Sequence, residues 1–212
     1  IRIFMRILLK FLLGTTLVII AIAALMLVPS PQPTAPKPWE VTVMPDNQIQ
    51  VMGVHLGTTT YGEIQQLWRE AGEAALFISE NDDISAEVFF ESINLGGLSA
   101  RTVLNLQVPE EKLQAMAARA VSAKLQPSGA RRYDPAFDDK QALLSAPAIV
   151  LTYIPSVRLD EEMVRTRFGE PEQIQNEAEE SPAQIWHYPN IGLTIRLHPE
   201  ERPMLTYTAR SS

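Results

Sequence analysis

From Phe11 to Val28 the chain carries no charged residue, and nearly every position is apolar: Phe11, Leu12 and Leu13, then Leu17 through Val28. About 20 such residues in a helix match a bilayer core of roughly 30 Å. Arg2, Arg6 and Lys10 precede the run, and no acid occurs before Glu40. Positive charge stays on the cytoplasmic side. Residues 1–10 are therefore expected in the cytoplasm, 11–28 as a single transmembrane helix, and the rest of the chain on the far side. Two other readings compete, a buried core helix and a cleaved signal peptide with Ala21-Ile22-Ala23 as its small-residue motif. That motif lies inside the apolar run, with Leu25-Met26-Leu27-Val28 still to follow, which favours an uncleaved anchor. Met5-Arg6-Ile7-Leu8 reads as a natural opening.

Residues 29–38 contain Pro29, Pro31, Pro33, Pro36 and Pro38. Such spacing gives an extended, semi-rigid spacer. A stalk is the plainer reading, and a polyproline ligand for a partner groove the alternative. Beyond it the charge changes sign: from Trp39 onward there are 14 basic against 25 acidic residues. An acidic surface argues against nucleic acid as a partner, because such binders carry a basic face. The chain has no cysteine, which removes disulfides, thiolate zinc sites, Fe–S clusters and a cysteine nucleophile.

The remainder reads as an α+β domain with antiparallel sheet and helices on one face. Residues 39–125 form a first subdomain, 126–146 an irregular, solvated connection, and 147–212 a second subdomain. In the first, Gln48–Val54 is a strand, and Thr60 with Glu63 makes a capping box for a helix bearing Tyr61, Ile64, Leu67 and Trp68. Gly72 fits the position that closes that helix. Ala74–Ser79 is a strand, and Ala86–Asn94 with Leu98–Gln107 forms a hairpin around Gly96-Gly97. Pro109, Glu110 and Glu111 open a further helix with an apolar stripe of Leu113, Met116, Ala117, Ala120 and Val121.

In the second subdomain, Ala148–Ile154 is a strand, Asp160 caps a helix ending at Gly169, and Gln184–Tyr188, Leu193–Leu197 and Met204–Thr208 are strands. Both stretches share the order strand–helix–strand–strand–strand, which suggests two tandem units.

Phe168-Gly169-Glu170-Pro171, an acidic loop, and Ile185-Trp186-His187-Tyr188 before a final hairpin resemble the SmpA/OmlA/BamE-like fold of small cell-envelope proteins. Leu56-Gly57-Thr58-Thr59 ahead of the first helix is similar to the helix start of the same family. The resemblance covers residues 155–208 well and 53–80 weakly. It implies a periplasmic binding module. The family's lipidation cysteine has no counterpart here.

No catalytic pattern emerges. Gly97-Leu98-Ser99-Ala100-Arg101 departs from a nucleophile elbow in its last residue, and a strand follows it where the elbow needs a helix. His55, His187 and His198 stand apart, and the acid pairs Asp82-Asp83 and Asp138-Asp139 lack the alternation of a calcium loop. Neither metal nor cofactor is expected. Trp186, Tyr188 and Trp39 are the candidate binding anchors, because aromatics dominate interface hot spots. For Trp186 and its partner Tyr188 on the same face a place in the core is the favoured reading.

The expected function is a non-enzymatic interaction or scaffolding module, anchored as a single-pass protein in the inner membrane of a Gram-negative bacterium with its C-terminal domain in the periplasm. Its partners would be envelope or membrane-complex proteins, with the chain as an accessory subunit. A small-ligand or sensory domain is the alternative, and a hydrolase the more remote one.

Overall fold

The computed structural model describes residues 14–16, 18–19, 36–95 and 97–210. The described residues from 36 to 210 form one compact unit. Three short strands, β1 (Thr42–Val43), β2 (Ile49–Val51) and β3 (Val54–His55), make a small antiparallel sheet. Helix α1 (Tyr61–Trp68) follows, then β4 (Glu73–Ile78), β5 (Ile84–Leu95) and β6 (Leu98–Leu106). Helix α2 (Glu110–Ala118), β7 (Ser122–Leu125), β8 (Arg131–Asp134) and α3 (Phe137–Leu143) lead to β9 (Ala148–Pro155). The chain ends with α4 (Glu161–Phe168), β10 (Gln173–Asn176), β11 (Gln184–Tyr188), β12 (Leu193–Leu197) and β13 (Met204–Thr208).

Ten of these strands form one antiparallel sheet in the order β10-β11-β12-β13-β9-β6-β5-β4-β8-β7. The two sequence stretches are thus not separate sheets: β6 and β9 pair over Ala100–Leu106 and join them. Nor is the element order duplicated. The first strand of stretch one belongs to the small sheet, whereas β9 is central to the large one, and the second stretch has an extra strand, β10.

The transmembrane expectation is corrected. Among the described residues no helix is long and apolar enough to cross a membrane. The longest of α1 to α4 is α2 with nine residues, about 14 Å at 1.5 Å per residue against the roughly 30 Å required. This also removes the support for a single-pass inner-membrane location. Within 11–28 the described residues are 14–16, 18 and 19; the rest of that expected span, with 1–10 and 29–35, lies outside the described residues.

Period-two alternation decides which face of each strand is buried. Val88 and Phe90, Leu104, Leu151 and Tyr153, Leu205 and Tyr207, Ile195, and Trp186 and Tyr188 all point to one side. Helix α1 packs there, with Trp68 edge-on to Phe90 at 5.1 Å between ring centroids. Helix α4 packs on the same side, with Phe168 against Tyr188. The small sheet adds Ile49, Val51 and Val54 to the same core.

Local signals behave unevenly. The Thr60–Glu63 capping box forms in both directions. Gly72, however, does not close α1: Arg69 takes the left-handed conformation instead, at φ 57°. Gly72 is needed for close approach, since a Cβ there would lie 2.4 Å from Val88 Cγ1 and 2.8 Å from Phe90 Cζ. Helix α2 ends at Ala118, so of its expected stripe Leu113 and Met116 are buried while Val121 is 72% exposed. Residues 126–146 are not an irregular connection but hold β8 and α3. Asp139, read as a solvated acid, is buried and ion-paired with Arg119.

Candidate functional site

The three candidate anchors converge on α4, Trp186 and Tyr188 from β11 and Trp39 from the segment ahead of β1. Asp160 starts that helix, its side chain accepting the Met163 N–H at 2.8 Å. Gly169 ends it at φ 81°. Residues spaced along the helix then meet the aromatics in turn. The Arg165 guanidinium lies over the Trp186 ring at 4.6 Å, and that of Arg167 over Trp39 at 4.3 Å. Phe168 tilts against Tyr188, whose hydroxyl donates to the Gly169 carbonyl at 3.1 Å. Trp186 is fully buried and Tyr188 nearly so, while Trp39 is partly exposed. The Trp186 indole N–H donates to Gln184 Oε1 at 3.0 Å. Burial pushes the Tyr188 phenol up, opposed by the Arg165 charge. Trp186 and Tyr188 are therefore covered by the protein's own helix.

The opposite face of the large sheet differs. None of the helix contacts just described falls on it, and the strand registers align its side chains in one row. Glu73 faces Phe89, and Phe89 faces Val103. Val103 faces Thr152, which faces Thr206. Thr206 faces Thr194, and Thr194 faces His187. Beside Glu73 the row is apolar, at Phe89 and Val103. There Ala75, Phe77, Phe89 and Val103 line a depression of about 260 Å³. Arg132, which is ion-paired to Glu73, supplies its polar lining together with Glu87 and Gln126. Phe89 is 39% exposed, an aromatic in the middle of a long strand. The anchors expected from the sequence do not include this face, although Phe89 opposite Val103 follows from the register of the β5–β6 hairpin.

A second concavity, about 390 Å³, lies beside the α4 N-terminus among Leu159, Met163, Leu197 and His198. Its polar groups are engaged locally. His198 Nδ1 accepts the N–H groups of Glu200 and Glu201 at 3.1 Å each, and Arg158 donates to the Glu200 carbonyl. Nearby, Arg196 makes two hydrogen bonds to Glu177 and one to Glu201. The Arg196 bonds hold both carboxyls below the ordinary glutamate range.

Among the described residues the three histidines and Ser99 stand apart from one another. His55 meets Asp46 at 2.9 Å, His187 is in the helix-free row, and His198 is in a turn. Ser99 is on the β5–β6 hairpin, where its hydroxyl accepts from Asn94 at 3.3 Å. Among the described residues no group of three or more metal-ligating side chains comes together.

No family model, curated protein or solved structure matches this chain.

Proposed function

We propose that this chain is a non-enzymatic protein-interaction module that receives a partner protein on the helix-free face of its ten-stranded sheet. The observation that carries the reading is the depression of Phe77, Phe89 and Val103 with its polar lining. Aromatic side chains left accessible in a pocket ringed by polar groups are the arrangement of an interface hot spot. The matching partner surface supplies an aliphatic or aromatic anchor for the depression, with hydrogen-bonding groups for the threonine row beside it. The resemblance of residues 155–208 to SmpA/OmlA-like binding modules points the same way.

A photo-crosslinking residue placed at Val103 tests this, with one at Glu110 on α2 as the control. A discrete crosslinked partner from Val103, absent from Glu110 and lost when Phe89→Arg is added, is expected. Equal crosslinking at both positions, or none at Val103, overturns the reading.

The groove beside α4 supports a second reading, a small-ligand site, because about 390 Å³ suits a small molecule. It ranks below the first because His198, Arg158 and Asp160 already serve the backbone around them. A ligand screen by thermal shift, repeated on Met163→Trp to fill the groove, separates the two.

A further inference from the structure

We propose that β10 is a docking edge that takes an extended, lysine- or arginine-bearing segment of a partner protein as an eleventh strand. This surface is separate from the helix-free face, so either proposal stands or falls alone.

Strand β10 ends the sheet and pairs on one side only, with β11. The Glu177 N–H donates to the Ala183 carbonyl at 2.9 Å, in register with that ladder. Antiparallel hydrogen bonds alternate along a strand. The main-chain N–H and C=O groups of Ile174 and Asn176 therefore point away from β11 and make no hydrogen bond among the described residues. Such an edge is a template for another strand unless something blocks it, commonly lysine, proline or an inward-pointing charge. Strand β10 reads Gln-Ile-Gln-Asn and has none of these, and all four residues are exposed. The other edge, β7, carries Lys124 and adjoins Arg131 and Arg132 in β8.

Charge then selects the occupant. From Gly169 to Ile195 there are five glutamates and no lysine or arginine. Glu170 pairs with Arg165 and Glu177 with Arg196. Glu172, Glu179 and Glu180 form no ion pair among the described residues. These carboxylates flank both ends of β10, attracting a basic strand and repelling an acidic one. They also oppose symmetric pairing of two β10 edges, which would bring like charges together. Ile174, 43% exposed and opposite Trp186, offers an apolar contact for one side chain of the incoming strand. Main-chain bonds supply affinity in this mode of recognition, and side chains supply choice.

The test uses the full chain and two nine-residue peptides alternating valine with lysine or with glutamate. The lysine peptide is expected to bind about tenfold or more tightly than the glutamate peptide, with a strong salt dependence. Hydrogen exchange should slow at the Ile174 and Asn176 amides in its complex. The triple variant Glu172→Lys, Glu179→Lys, Glu180→Lys, which touches only exposed side chains, should reverse the preference. Equal affinities, or binding without protection of those two amides, would overturn the proposal. So would concentration-dependent self-association abolished by Lys124→Glu, which would make the β7 edge of a second copy the occupant.

Discussion

The Tyr207 hydroxyl donates to the Pro38 carbonyl at 2.5 Å, across 169 positions of sequence. Both residues are buried, and the bond fastens the chain just ahead of β1 to the last strand of the large sheet. Tyr207→Phe leaves that carbonyl without its donor, at a cost of about 1–3 kcal/mol. Urea denaturation measures it; an unchanged midpoint would show that the carbonyl finds another donor.

Burial, with Tyr153 close by, holds the Tyr207 phenol well above its ordinary range. A group whose folded pKa is raised contributes fully below its unfolded value, about 10 for tyrosine, and loses the contribution as pH rises through the folded value. Stability should therefore fall above about pH 10, and less steeply in Tyr207→Phe. Identical alkaline limbs for the two proteins would remove Tyr207 as the cause.

The acid side has the opposite sign. Arg196 holds the Glu177 and Glu201 carboxyls low, and the Thr60 main chain does the same for Glu63 in the capping box. Depressed folded values give stability that is present above the unfolded pKa and lost as pH falls through the folded one. Melting temperature should decline below the ordinary glutamate range. The decline should be shallower in Glu177→Gln, which no longer titrates there.

Truncations on the two faces of the sheet should differ sharply. Trp186→Ala empties a fully buried site and should cost about 3–5 kcal/mol. Phe89→Ala, on the helix-free face, should stay within about 1 kcal/mol while weakening partner capture. Chemical denaturation of both variants checks the first half and the crosslinking assay the second. A Phe89→Ala variant as unstable as Trp186→Ala would mean that Phe89 belongs to the core.

Two glycines should resist substitution for different reasons. A Cβ at Gly72 meets Val88 and Phe90, so Gly72→Ala should cost about 1–3 kcal/mol as overpacking. Val88→Ala in the same chain should return part of that. At Gly169 nothing lies within 4 Å, yet φ is 81° and ψ −166°, a region essentially reserved for glycine. Gly169→Ala should lose a comparable amount that no neighbouring truncation restores. A double-mutant cycle with Val88→Ala distinguishes the two, and coupling at Gly169 would contradict its open surroundings.

Local chemistry made much of this protein readable from its sequence. The Thr60–Glu63 capping box, the Asp160 cap, the helix end at Gly169 and the alternation of Leu193, Ile195 and Leu197 each depend on a few adjacent residues. Antiparallel strands covered by helices on one face follow from the same periodicities. Tertiary structure decided the rest. Alternation states which side chains share a face but not which strand lies next to which, so the β6–β9 pairing that merges two stretches into one sheet was invisible. Short strands such as Ser122–Leu125 and Gln173–Asn176 are exposed at every position, because edge strands bury neither face, so no buried side marks them out. Asp139 looked solvated because its partner, Arg119, is 20 positions away. Trp186 and Tyr188 were legible as a pair on one face. That α4 covers them, leaving Phe89 as the exposed aromatic of the sheet, was fixed only when the helices chose a side.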